Sequence, residues 1–376
     1  MEAQSQFVIP ESLACSLIEE SAGLAHKITS RLSILMENRD RLRAKLEASQ
    51  LIKQIDDTPQ TAELDVFAVD GGCGVEADLS SVMLSAIAIR IAPQQTDIIS
   101  STCINCIPHL TVANQLAQGL MFMQEVILAN ETAKKYPEGI TLIDGNRIGT
   151  LINLNQFYYA LQQEEVTEVY EAWKTRGSTD SIAQLFEKFE TQNHLVEFLC
   201  SRHNIVGISK LVSTKDILRL IGEPSQMAVV DDRSLATLLL KEGEYTVPLY
   251  LEKQKAIHMR DVYPYSQQVL AISSNWHEST LAWSPAYVYF KPTAKHPALK
   301  IEVTSHCIQQ NQLTNILQQV RKEIWSQDIQ EPYSMWLADR ICKECVQLSV
   351  AATKEITSNK CGNSDEMRNI LRSHRT

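Results

Sequence analysis

The stretch DVFAVDGGCG, residues 65–74, decides the fold, because an apolar run typical of a strand leads into Asp70 and two glycines. A second stretch, TLIDGNRIG at residues 141–149, has the same form and reaches Asp144 and Gly145. An aspartate followed by glycine is also an ordinary turn, since aspartate bonds the nearby backbone and glycine allows a positive φ. Each stretch therefore predicts either a turn or a strand that ends in a carboxylate.

Length and composition predict a folded protein without a membrane segment. The chain has 376 residues, of which 44% are hydrophobic and 21% charged, enough for one elaborated domain or two smaller ones. No run approaches the ~18–20 apolar residues of a membrane span, and the N-terminus lacks the basic start and apolar core of a signal peptide. We therefore expect a soluble, cytoplasmic protein with no membrane partner.

The net charge of −10 argues against a protein that coats nucleic acid non-specifically. A nuclease remains possible, because a local basic cluster formed by Arg39, Arg41, Arg43 and Lys45 or a partner could supply the contacts to phosphate. The alternative is that this cluster is a solvated helix face.

Nine cysteines without a secretory signal indicate reduced thiols. Two CxxC pairs raise the possibility of a zinc site: Cys103 and Cys106, with His109 nearby, and Cys342 and Cys345. The first pair lies in an alternating stretch and the second follows helical spacing, so both are explained by cysteine as a small core residue.

The order of apolar patterns predicts an α/β fold. Residues 11–55 have helical periodicity, three strands from residue 65 form an antiparallel meander, and a helix at about 112–136 leads to the strand that reaches Asp144. We expect a helical extension at 1–60 that serves dimerisation, a main domain at 61–355 with a helical insertion at about 150–203, and a polar tail at 356–376. Further strands are expected in NIVGISK, YTVPLYLEK, QQVLAISSNW, AYVYFKP and LKIEVTSH, and further helices in IGTLINLNQFYYALQQEEVTEVYEAWK, TKDILRLIG and DRSLATLLLKEG and at 309–329 and 333–353.

Acidic residues on separate segments suggest a metal site. A hard divalent cation takes oxygen ligands from several parts of a chain. The helix before Asp144 carries Glu125 among apolar neighbours, with Glu131 as the competing glutamate. Asp70, Asp144 and one of these two glutamates would hold the ion.

Between about residues 65 and 350 the chain contains, in this order, FAVDGG, a helix with an inward glutamate, LIDGN, VGISK, DDRSLATLLLKEGEY, YVYFKP…LKIEV and PYSMWLADR. In this order the pieces resemble the NurA-type nuclease family. The resemblance implies an RNase H-like core and a manganese-dependent 5′-to-3′ exonuclease and single-strand endonuclease. It also implies a dimer that docks on the hexameric DNA translocase HerA, in DNA end processing or in defence against invading DNA.

The resemblance also implies the roles of individual residues. Asp70 matches the first metal aspartate, Glu125 the helical glutamate, Asp144 the second aspartate and Lys210 the family lysine. Two Mn²⁺ or Mg²⁺ ions about 3.5 to 4 Å apart would activate water and stabilise the leaving oxygen. The lysine would hold the scissile phosphate.

The chain departs from the family at the C-terminal motif, which usually reads Tyr-Pro-Tyr-Pro and later Ala-His. Here the motif begins Glu331-Pro332, and Asp339 stands where the family has a histidine of the metal site. An aspartate can still bind Mn²⁺ or Mg²⁺ and favours harder cations. The substitution could equally mark a weakened catalyst, or Asp339 could be a surface helix residue. The family's Asp-Gly-Ser is also replaced, by Asp-Gly-Gly and Asp-Gly-Asn.

Two other functions remain open at this point. One is a non-catalytic subunit that clamps DNA in a translocase complex, which Asp339 favours; the other is a nuclease acting on RNA or hybrids. The chain contains no GxxxxGK[ST] loop, so ATP-driven movement would come from a partner. Trp276, Tyr287, Tyr289 and Phe290 are candidates for stacking on bases or for the core. The scattered histidines indicate no helical zinc site.

Overall fold

The computed structural model describes residues 11–55, 63–77, 81–95, 97–108, 111–175, 181–210, 214–223, 230–250 and 285–360. Within these ranges no helix combines the length and apolar character that crossing a membrane requires. The described strands form one ten-stranded mixed sheet with helices on its faces.

The sheet has the order β1-β7-β9-β10-β6-β5-β2-β3-β4, with β8 paired to β9. The strands are β1 (Ile52–Gln54), β2 (Val66–Ala77), β3 (Ser81–Ile91), β4 (Ile98–Pro108), β5 (Ile140–Asp144), β6 (Ile205–Ser209), β7 (Glu244–Thr246), β8 (Leu249–Tyr250), β9 (Pro285–Phe290) and β10 (Leu299–Thr304).

Five of these strands, β2 to β6, make up the core of the sheet. Strands β2, β3 and β4 form the antiparallel meander that the sequence predicts, and β5 and β6 run parallel to β2 on its other side. The predicted α/β class is confirmed. One detail of the prediction is wrong: β2 does not end at Asp70 but continues to Ala77, since its second half pairs with β3.

Helices cover both faces of the core. The α-helices of the described residues are α1 (Glu11–Glu37), α2 (Arg39–Ala48), α3 (Ala113–Lys135), α4 (Arg147–Leu161), α5 (Glu164–Thr175), α6 (Ser181–Thr191), α7 (His194–Val196), α8 (Asp216–Leu220), α9 (Asp232–Leu239), α10 (Ser305–Gln309), α11 (Leu313–Lys322) and α12 (Tyr333–Lys360). One apolar cluster joins α3 to α4–α7 on the first face, and a second joins α11 and α12 to the opposite face.

Several boundaries differ from the sequence prediction. The stretch expected as one helix from residue 148 is two, α4 and α5, and the stretch at 309–329 contains a break at Asn311, whose φ is +55°. Helix α12 continues to Lys360, beyond the predicted end at 353. The predicted strand QQVLAISSNW lies outside the described residues.

The N-terminal segment adds a strand that its helical periodicity does not predict. Residues 52–54 form β1 and pair with β7 at the edge of the sheet. The basic cluster on α2 is used within the molecule, because Arg41 and Lys45 both contact Glu223 and Arg43 contacts Glu244.

Arg147 fixes the connection between the core and the helical insertion. Its side chain is 1% exposed and donates to the carbonyl oxygens of Phe198, Arg202 and Ile205. Its guanidinium lies 3.4 Å from Glu302 on β10, and its backbone N–H donates to the same carboxylate at 3.0 Å. The start of α4, three residues after Asp144, is therefore anchored to the sheet.

We expect Arg147→Met to lower the free energy of unfolding by about 3–5 kcal/mol, because it leaves the buried Glu302 carboxylate without its cation. Urea denaturation measures the change. Arg340→Met is the control, since Arg340 is exposed and pairs with Glu344 at the surface, where removing one partner costs about 1 kcal/mol or less. Equal effects of the two variants would contradict the anchoring role.

Candidate metal and active site

The ends of the parallel pairings bring three predicted site residues together. Strands β2 and β5 are paired up to Val69 and Ile143, so the next residues, Asp70 and Asp144, lie side by side. Strand β6 continues the parallel arrangement, and Lys210 follows its last residue. Because side chains alternate along a strand, all three residues lie on the face that α12 covers.

Glu125 reaches these residues through a gap at Gly71. A Cβ atom on Gly71 would lie 2.9 Å from Glu125 Cγ and 2.6 Å from Met121 Cγ, both on α3. The backbone N–H of Gly71 donates to Asp70 Oδ1 at 2.8 Å and also faces the Glu125 carboxylate. The lack of a side chain at Gly71 therefore allows α3 to approach β2 closely in the middle of the strand. By contrast, Gly145 after Asp144 has a φ of +97°, as a turn requires.

Two carboxyl groups of this site are hard to ionise in the absence of metal. Burial, followed by the charge of Asp144, raises the pKa of Asp70 to about 8. Burial also raises the pKa of Glu125 well above its ordinary value, and the charges of Asp70 and Asp144 add to this effect. Among the described residues, Asp70 Oδ2 is buried without a hydrogen-bond partner.

Lys210 lies between two carboxylates. Its Nζ is 2.9 Å from Asp144 Oδ2 and 2.9 Å from Glu331 Oε2. Burial alone would lower the pKa of Lys210, but the carboxylates of Asp144 and Glu331 reverse this and raise it. Lys210 therefore stays charged and is fixed in position by two partners.

Glu331 lies at the site, although no role was predicted for it from the sequence. It is 9% exposed, burial raises its pKa, and the contact with Lys210 opposes that rise. The sequence does contain a sign of this role, because a glutamate stands at position 331, where the family motif begins with a tyrosine.

Helix α12 brings Asp339 to the same place. The charge of Asp339 contributes to the raised pKa of both Asp70 and Glu331, and its side chain is 23% exposed and pairs with Lys343 at 2.7 Å. The following turn of the helix is docked on β2, since Cys342 Sγ donates to the Asp70 carbonyl oxygen at 3.2 Å. Asp339 is thus a helix residue that faces the carboxylates.

Glu131, the competing glutamate of α3, lies elsewhere. Its carboxylate pairs with Lys188 of α6 at 2.6 Å, and its side chain is 46% exposed. The structure therefore groups Glu125 with Asp70, Asp144, Lys210 and Asp339, and it separates Glu131 from them.

The described residues contain no ready-made group of three or more His, Cys, Asp or Glu with the spacing of a metal site. One carboxylate oxygen of Asp144 is taken up by Lys210, whose Nζ lies 2.9 Å from Oδ2. The donor set nevertheless suits a hard divalent cation, since it consists of carboxylate oxygens and includes the buried, unpartnered Oδ2 of Asp70. Binding would displace the protons that the raised pKa values favour on Asp70 and Glu125.

The cysteine pairs supply no zinc site within the described residues. Cys103 and Cys342 are buried, as expected of small core residues, whereas Cys106 is exposed. His109 lies outside the described residues.

The three aromatic candidates that lie within the described residues belong to the core. Tyr287, Tyr289 and Phe290 are 3%, 0% and 0% exposed, so none presents a face to a base. Trp276 lies outside the described residues.

We expect the metal-free protein to lose stability as the pH rises from about 4 through about 8. Unfolded Asp70 has an ordinary pKa of 3.8 and folded Asp70 one of about 8, so the folded state binds more protons in this window. The stabilising contribution is complete below about pH 4 and disappears as the pH passes 8, at about 1.4 kcal/mol per unit of pKa difference. Urea denaturation in EDTA at several pH values measures it. Asp70→Asn should flatten the dependence, and an unchanged dependence would contradict the assignment.

Comparisons with known proteins show the family and the fold of this chain. The NurA domain model matches residues 64–340. The crystal structure of the NurA nuclease from Sulfolobus solfataricus is 12% identical and has a TM-score of 0.55, with 93% of this chain and 98% of that chain covered. A structure of NurA with manganese is 14% identical and has a TM-score of 0.51, with 89% and 97% covered.

At these identities the solved structures show a shared fold. No curated protein matches the chain. The domain match includes Asp70, Glu125, Asp144 and Lys210 and extends to Asp339. Because it spans well over half of the chain, this protein belongs to the NurA family of nucleases.

Proposed function

We propose that this protein is a divalent-metal-dependent DNA nuclease whose metal ligands are Asp70, Glu125, Asp144 and Asp339. The observation that carries the proposal is the crowding of Asp70 and Glu125 where the pairing of β2 with β5 ends. Both groups have raised pKa values there, and Asp70 Oδ2 has no partner among the described residues. Buried carboxylates repel each other, and a bound cation removes this repulsion and so stabilises the arrangement. The structure of a family member with manganese supports Mn²⁺, with Mg²⁺ as the alternative.

The bound ion would lower the pKa of a water molecule and so supply hydroxide for phosphodiester hydrolysis. The residues of this chain provide the remaining functions. Asp70 and Glu125 release protons when the site is loaded, and Lys210 presents an ammonium to the scissile phosphate. Glu331 acts as a positioning residue for Lys210, because its carboxylate holds Nζ at 2.9 Å beside Asp144.

The finer activity and the partners are inferred from the family resemblance. We propose a 5′-to-3′ exonuclease and single-strand endonuclease that works in the cytoplasm with a HerA-type translocase, in end processing or in defence against invading DNA. A homodimer is supported by α1, whose Leu24, Ile28 and Leu32 are 59%, 49% and 48% exposed. A second copy of the helix would cover these side chains.

A DNA-clamping subunit without catalytic activity is the second candidate. It is favoured by the contact between Lys210 and Asp144, which neutralises a carboxylate without metal, and by Asp339 in place of the family histidine.

Cleavage of 5′- and 3′-labelled single- and double-stranded DNA with Mn²⁺, Mg²⁺ or EDTA tests the proposal, with and without a HerA-type translocase. We expect metal-dependent cleavage that falls on the order of 100-fold or more in Asp144→Ala and in Glu125→Gln, because each loses a ligand. Glu131→Gln is the matched control on the same helix and should cleave normally. Intact DNA binding without cleavage under every condition would favour the clamp.

We expect Glu331→Gln to lower kcat by about 10- to 100-fold, because Lys210 loses one of the two carboxylates that position it. Glu331→Asp should recover part of the rate. Glu344→Gln, at an exposed pair on α12, is the control. If Glu331→Asp recovered none of the rate, the Glu331 carboxylate would not be positioning Lys210.

A further inference from the structure

Four side chains between α11 and the second turn of α12 form a continuous stack, which we call the aromatic ladder: Trp325, Tyr333, Trp336 and Arg340. The ring centroids of Trp325 and Tyr333 are 4.0 Å apart at an interplanar angle of 7°. Tyr333 and Trp336 are 5.5 Å apart at 29°, and the guanidinium carbon of Arg340 lies 5.3 Å from the Trp336 ring. Three rings and a cation therefore stack in sequence along one surface.

The outer end of the aromatic ladder is open to solvent. Trp325 is 60% exposed, whereas Tyr333 and Trp336 are half-buried. Trp325 also lines a cavity of about 640 Å³ with Thr293 and Lys295, a volume within the range of ligand sites. A ring this exposed gains little from burial, so stacking on Tyr333 is what holds Trp325 in place while it remains open to solvent.

The aromatic ladder borders the carboxylate site at two points. Glu331, which contacts Lys210, lies two residues before Tyr333. Asp339 lies three residues after Trp336, and side chains at this spacing are neighbours on a helix surface. A strand stacked on the exposed ring of Trp325 and running along the aromatic ladder would therefore approach Asp339 and the other proposed metal ligands.

We propose that the aromatic ladder is a stacking platform for unpaired bases, which holds a single strand of DNA beside the carboxylate site. This inference rests on the proposed nuclease function and specifies its substrate as a strand with free base faces. Aromatic rings stack on any base, so the platform tolerates any sequence. Arg340, which stacks on Trp336, and Lys343 form exposed pairs with Glu344 and Asp339, and the phosphates of a stacked strand would compete for these cations.

The proposal predicts a preference for single strands, because the bases of a duplex already stack on each other and offer no free face. The cations of the platform would attract either form, so the rings, and not the charge, set the preference.

Binding of labelled oligonucleotides in EDTA, measured by fluorescence anisotropy on the full chain, tests the platform without cleavage. We expect Trp325→Ala to weaken binding of single-stranded DNA by about 5- to 100-fold and Trp325→Phe to retain most of the affinity. Tyr159→Ala is the matched control, since Tyr159 is a 59% exposed aromatic residue on α4. Unchanged binding by Trp325→Ala, or no binding by the wild type, would overturn the proposal.

A strand with abasic sites separates stacking from contacts to phosphate. The wild type should bind the abasic strand more weakly than the intact strand, and Trp325→Ala should cause little further loss. If Trp325→Ala loses the same factor on both strands, the ring does not stack on bases and the proposal is wrong.

The outcomes also separate this inference from the nuclease proposal. Cleavage that depends on Asp144, together with binding that is indifferent to Trp325, would retain the nuclease and reject the platform. Base-dependent binding through Trp325, without cleavage by any metal, would retain the platform and reject the nuclease.

Discussion

Electrostatic crowding at the ends of the two parallel pairings, β2 with β5 and β5 with β6, is the constraint on which this structure depends. Asp70, Glu125 and Asp144 are held together in a largely buried place, while Lys210 contacts Asp144 and Glu331. Carboxylates so close in a low dielectric cannot all be ionised without compensating charge. Protons supply that compensation in the metal-free state, and a divalent cation would supply it in a working nuclease.

The scaffold holds this arrangement from both faces of the sheet. Gly71 has no side chain, so α3 approaches β2 closely enough for Glu125 to reach Asp70. On the opposite face, Gly72 and Gly74 let α12 lie against the strand, since a Cβ there would meet Cys342 at 3.1 Å and Val346 at 2.6 Å. The glycine-rich half of β2 is therefore a packing surface for two helices.

Most of the core could be predicted from the sequence, because its signals are local. Alternating apolar residues indicated the meander, and helical spacing indicated α3 within one residue of its observed ends. The prediction failed where pairing depends on distant residues. Strand β1 exists because β7 offers it an edge, and β2 continues past Asp70 because β3 pairs with it.

The sequence by itself determined which acidic residues follow strand-like runs, and it limited the helical ligand to two glutamates. Only the tertiary structure distinguished Glu125 from Glu131, because six residues along a helix turn the side chain to another face, and which face meets β2 is set by packing. The contact of Glu331 with Lys210 and the stack that begins at Trp325 were likewise decided in three dimensions. Each of these contacts joins two segments of the chain, and the local sequence pattern of one segment does not predict its contact with the other.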